Sequence, residues 1–192
     1  MSLFPEYDSE VRNRLYSKNS LKIGIFGSFG NTRKKYIDSL KSFLISHSYS
    51  STFDAGDFPV RDYQDKDEKY EIALENSEAL LINSDIQIFF LYLEDDKDHG
   101  INISAAIEIA FLFKSKREDG VILIIEEGAE EQIRANLKGI LAKGKKKNWV
   151  TIPFDSCDLT HEIMAESACY NYIGKMLYNS RDPYLDQTFN DG

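Results

Sequence analysis

Residues 100–113 read Gly-Ile-Asn-Ile-Ser-Ala-Ala-Ile-Glu-Ile-Ala-Phe-Leu-Phe, and the only charge among these fourteen is Glu108. Apolar residues lie on both sides of it, so a helix built from this segment is expected to be buried nearly all round. An isolated carboxylate taken out of water costs several kcal/mol, or raises its pKa and holds a proton. Core packing alone would be served by Leu or Met at this position. Glu108 is therefore the first candidate for chemistry, as a carboxyl group whose ionisation is governed by its surroundings.

Other groups could supply it with a site. The stretch Phe26-Gly27-Ser28-Phe29-Gly30-Asn31-Thr32-Arg33 joins a strand-like run to a helix-like one. Glycines there let backbone N–H groups approach a phosphate, and the following helix N-terminus adds partial positive charge. The same residues equally make a tight strand-to-helix turn. The stretch is neither a Walker A loop nor a Gly-x-Gly-x-x-Gly fingerprint, which argues against nucleoside triphosphate hydrolysis and NAD-dependent hydride transfer. Asp85 precedes a central strand, where it serves as a strand-entry residue or fixes a neighbouring loop. The loop Glu94-Asp95-Asp96-Lys97-Asp98-His99 lacks EF-hand spacing and reads as a solvated charged loop, from which Asp98 or His99 can approach a substrate. His47, His99 and His161 are scattered singly, so no zinc site is expected, and no cofactor is implied. The run Lys143-Gly144-Lys145-Lys146-Lys147 reads as a solvated loop, and Ser104 lacks the elbow and downstream His of a serine hydrolase.

Composition narrows the partners. The 192 residues carry a net charge of -9, which repels polyanions, so extended DNA or RNA is excluded while a small nucleotide is not. Cys157 and Cys169 are too far apart for a Cys-x-x-Cys motif and are expected as buried thiols. The N-terminus lacks the basic and apolar regions of a secretory signal, and no apolar stretch reaches the ~20 residues of a membrane span. A soluble, cytoplasmic protein without a membrane partner is expected.

The elements that must position these groups alternate in type. Strand-like runs fall at 21–26, 49–53, 86–92, 121–125 and 149–152. Helical periodicity marks 33–46, 66–82, the Glu108 segment, 129–142 and 159–178. This predicts an α/β fold, a single-domain doubly wound five-stranded parallel sheet of flavodoxin- or Rossmann-like type with helices on both faces. Residues 1–20 are expected to form a leading helix and linker, 21–180 the α/β domain, and 181–192 a flexible tail. Ligands of such sheets bind beyond the carboxyl ends of the strands, which here are the loops at 27–32, 54–62, 93–102 and 126–129.

Phe26-Gly27-Ser28 after the first strand, Asn83-Ser84-Asp85-Ile86 into a central strand, and the run from Gly100 ending in Glu108-Ile109-Ala110 together resemble the nucleoside 2-deoxyribosyltransferase superfamily. That superfamily includes 2'-deoxynucleoside 5'-phosphate N-hydrolases and is distantly similar to TIR-type NAD-cleaving domains. The resemblance spans about residues 21–155 and rests on the order and spacing of short motifs. It implies that Glu108 is the nucleophile attacking C1' of a nucleoside or nucleotide, with hydrolysis or base transfer to follow. It also implies that Asp85 is catalytic or site-organising. Gly27, Ser28, Phe29, Gly30, Asn31 and Arg33 would hold a 5'-phosphate or hydroxyl, with Asp98, His99, Asn102 and Ser104 around the substrate. Ala110 stands where the family has glycine. Asn102 stands where the family commonly has Asp or Ser; it can position a hydroxyl but cannot donate a proton as an acid. Residues 132–139 resemble a segment that family members extend into a neighbouring subunit, so the resemblance implies a homodimer with Arg134 or Asn136 acting across its interface. The alternatives are a TIR-like NAD glycohydrolase and a non-catalytic nucleotide sensor in which Glu108 grips a ribose hydroxyl.

Overall fold

The computed structural model describes residues 17–27, 33–58, 65–92, 103–114, 119–129, 135–154 and 160–179. Five strands, β1 (Ile23–Phe26), β2 (Thr52–Asp54), β3 (Ile86–Leu91), β4 (Val121–Glu126) and β5 (Val150–Phe154), form one sheet in the order β2-β1-β3-β4-β5. Every neighbouring pair is parallel. Among the described residues five α-helices alternate with them: α1 (Lys34–Ser46), α2 (Lys66–Asn83), α3 (Ile103–Lys114), α4 (Ala135–Lys145) and α5 (Thr160–Asn179). This is the α/β parallel-sheet fold expected from the alternation.

Right-handed crossovers fix the faces. The chain steps one way from β1 to β2 and the other way from β2 onward, so α1 lies on one face and α2, α3 and α4 on the other. The buried residues sort accordingly. Ile37, Leu40 and Leu44 of α1 share a core with Ala165, Cys169 and Ile173 of α5. Leu80 and Leu81 of α2, Ala105, Ile109 and Leu112 of α3 and Leu141 of α4 share the other. β3, Ile-Gln-Ile-Phe-Phe-Leu, is buried at every position because both faces are covered. Its one polar residue, Gln87, donates from Nε2 to the carbonyls of Ser84 at 2.7 Å and Leu81 at 3.2 Å, tying the end of α2 to the sheet.

Local chemistry sets several boundaries. Asp65 caps α2 by accepting from the backbone N–H groups of Asp67 and Glu68, both at 2.9 Å. β2 begins at Thr52, later than periodicity suggests, because Tyr49 is tied back to α1 through its N–H, which donates to Leu44 O at 3.0 Å, while its carbonyl accepts from Thr52 Oγ1 at 2.7 Å. β5 runs through Pro153 to Phe154, a continuation compatible with its place at the sheet edge, where a missing N–H need not interrupt a ladder. Gly120, at φ +78°, turns the chain into β4 where an added Cβ would lie 2.4 Å from the Asp85 carbonyl oxygen. Residues 17–20 form a turn, while the rest of the expected leading helix, the tail at 181–192 and residues 130–134 of the expected fourth helix lie outside the described residues. Among the described residues no helix is long and apolar enough to cross a membrane.

Candidate functional site

The strand order reverses between β1 and β3, and the carboxyl ends of these two strands border the crevice that such a reversal opens. Gly27 lies buried at the end of β1, with Ile37 of α1 close enough that a Cβ there would sit 3.0 Å from its Cδ1. Arg33, just before α1, reaches across the sheet ends. Its Nη1 donates to Glu126 Oε1 at 2.8 Å, and its guanidinium lies 5.1 Å from the Tyr92 ring centroid. Arg33, Tyr92 and Glu126 thus bring together the exits of β1, β3 and β4. The guanidinium that sequence assigns to a phosphate is engaged by a carboxylate that sequence reasoning passed over; its signal was an acidic residue closing an otherwise apolar strand.

Glu108 lies about 8 Å along α3 from the helix start, at 1.5 Å rise per residue. α3 buries Ala105, Ile109 and Leu112, and Glu108 occupies the same stripe, three residues after Ala105 and four before Leu112. α2 buries Ser77, Leu80 and Leu81 at matching spacing, and Ser84 just past its end is buried as well. The one polar residue of the α3 stripe meets a polar residue of the α2 stripe: Ser77 Oγ donates to Glu108 Oε1 in a short hydrogen bond. Glu108 Oε2 is buried and has no hydrogen-bond partner among the described residues. Burial pushes the Glu108 carboxyl up to about 7, against the opposing effect of the Ser77 hydrogen bond. Ser77 was missed from sequence, although a serine on the buried stripe of an otherwise acidic helix was its legible trace.

The expectation that this helix is buried all round is corrected. Ile107 is 59% exposed and Phe111 42%, so α3 keeps one apolar face open while the stripe carrying Glu108 turns inward.

Asp85 stands at the opposite end of β3. Its Oδ2 accepts from Lys22 N at 2.9 Å while its own N–H donates to Lys22 O at 2.8 Å, a reciprocal clasp where β1 and β3 begin. The structure does not bring it to Glu108. Ser28, Phe29, Gly30, Asn31, Asp98, His99, Asn102 and Arg134 lie outside the described residues; Ser104 and Asn136 are placed on α3 and α4 by their backbones alone. Cys169 is buried, its thiol pushed up to about 12 chiefly by that burial. A cavity of about 380 Å³ lies where β4 and β5 begin, away from Glu108 and Arg33, with Asp119, Asn148, Asn171, Tyr172 and Lys175 among its walls. No family model matches the chain and no curated protein matches it.

Proposed function

We propose that this protein cleaves the N-glycosidic bond of a nucleoside or nucleotide, with Glu108 as the nucleophile. The observation that carries the reading is the Glu108 carboxyl itself, held through one oxygen by Ser77 while the other is buried and unpartnered. A carboxyl that ionises near neutrality combines substantial anion at working pH with more basicity than a surface carboxylate has.

The reaction follows from that group. A lone pair of Glu108 forms a bond to C1', the C1'–N bond breaks, and its electron pair leaves with the base, which takes a proton from water. The oxocarbenium-like transition state places positive charge beside the carboxylate. Water then adds to C1', the sugar–Glu108 ester bond breaks, and the carboxylate is regenerated as the proton passes to solvent. A second base in place of that water gives transfer. Arg33 supports a 5'-phosphate once the anion takes the place of Glu126 on its guanidinium. In this reading a second copy of the chain supplies Arg134 or Asn136.

Incubating the protein with deoxynucleotides, nucleosides and NAD, and measuring released base, tests the proposal. Base release that falls at least about a hundredfold in Glu108→Gln supports it. Tight binding without turnover across the panel identifies a sensor instead, and base release confined to NAD identifies a NAD glycohydrolase.

A further inference from the structure

We infer that Ser77 is a positioning residue for the Glu108 carboxylate, holding Oε1 so that Oε2 is the oxygen that attacks C1'. The inference rests on Glu108 being the nucleophile and adds which of its atoms reacts and what aims it.

A serine within a helix ordinarily turns its hydroxyl back onto the carbonyl three or four residues earlier. Among the described residues Ser46 of α1 does so, its Oγ donating to Phe43 O, as does Ser84 just past the end of α2, donating to Leu80 O, both at 2.7 Å. Ser77 instead sends its proton across to α3. The residue is 8% exposed, so solvent competes little for that proton. A buried hydroxyl has one proton to give, and giving it to Oε1 makes two chemically equal oxygens unequal. Oε1 is occupied, whereas Oε2 has no partner among the described residues. The bond also restricts rotation of the carboxyl group, whose last torsion is otherwise broad.

The ionisable neighbours do not take over this role. Glu71, Glu75 and Glu78 flank Ser77 on α2, and Lys138 and Lys143 lie on α4, which packs against α3. Burial and the Ser77 hydroxyl account for the Glu108 shift without any of them. Removing the hydroxyl therefore removes the group that, among the described residues, favours the ionised form.

The test compares Ser77→Ala, Ser77→Cys and Ser77→Thr with Glu108→Gln in the full chain. Carbon-13 NMR of the Glu108 carboxyl gives its titration midpoint, and base release gives kcat and KM against pH. In Ser77→Ala the midpoint should rise by about one pH unit and kcat fall about tenfold to a hundredfold with little change in KM, as expected for the loss of a hydrogen bond to a charged group. Ser77→Cys, which keeps the size but donates weakly, should fall between, and Ser77→Thr should restore both quantities. A purely structural serine would change neither midpoint nor pH profile in the folded variants. If base release is lost in Glu108→Gln but the Ser77→Ala midpoint and kcat are unchanged, this inference fails while the Glu108 reading stands. If Glu108→Gln releases base as the wild type does, both fail.

Discussion

Glu108→Gln should make the protein more stable, and by an amount that depends on pH. An ordinary glutamate ionises near 4.5, whereas burial holds Glu108 at about 7. Because the folded-state pKa is raised, the folded protein keeps a proton that the unfolded chain has already released between these values. Stability contributed by the neutral carboxyl is intact below pH 4.5 and is lost as pH rises through the folded pKa. Each pH unit within the window corresponds to about 1.4 kcal/mol, so the span of about 2.5 units amounts to about 3 kcal/mol at pH 8. Glutamine has nearly the shape of the neutral acid, can still accept from Ser77, and does not ionise. Its advantage should therefore be about 3 kcal/mol at pH 8 and about 1 kcal/mol at pH 5. For a domain of this size that advantage raises the pH 8 melting temperature by roughly 6–12 °C. Urea unfolding of both proteins across this range measures the difference directly, with every other titrating group cancelling. A difference that stays flat with pH, or a variant less stable than wild type at pH 8, would show that Glu108 ionises as a surface carboxylate does, and the argument for a dry site would fall with it.

Glu126→Gln releases Arg33 from its 2.8 Å ion pair and should lower KM for 5'-phosphorylated substrates severalfold, while Arg33→Met should raise it about tenfold or more; KM for the unphosphorylated nucleosides, measured in parallel, should change little in either. Gly120→Ala forces a side chain into a left-handed backbone with its Cβ 2.4 Å from the Asp85 carbonyl oxygen, and should cost about 2–4 kcal/mol in denaturant unfolding.

The sheet was legible because its strands carry strong local patterns. β3 and β4 are apolar on both faces, as only strands covered by helices on both sides need to be. Boundaries were less legible where tertiary contacts decide them: β5 extends through Pro153 at an edge, and α4 continues to Lys145 where Gly144 lies against the Trp149 ring. Glu108 stood out from sequence because a charge in an apolar run is anomalous one residue at a time. Ser77 did not, since serine is unremarkable until the α2 stripe is known to face α3. The strand-entry reading of Asp85 was legible because it is local: the residue precedes β3, and its carboxylate clasps Lys22.

In the proposed reaction, the free energy that makes Glu108 unfavourable to the fold would bear on catalysis as well. The cost arises because Oε2 is buried and has no donor among the described residues. A neutral ligand group does little to relieve it, whereas positive charge developing at C1' relieves it directly, and more strongly in a dry seam than in water. If the whole of the roughly 3 kcal/mol were recovered in the transition state, it would accelerate the first step by about two orders of magnitude. Recovery requires the sugar to reach an oxygen now shielded between α2 and α3. Leu74, one turn before Ser77, and Phe111, one turn after Glu108, are both exposed large apolar residues beside that seam. A substrate that opens the seam must keep water out as it enters, and apolar side chains at its edges serve that end better than polar ones. The Ser77 bond itself spans α2 and α3, so in the proposed reaction the sugar must enter at the edge of the seam, beside these apolar side chains, for the aim of the carboxyl to be kept.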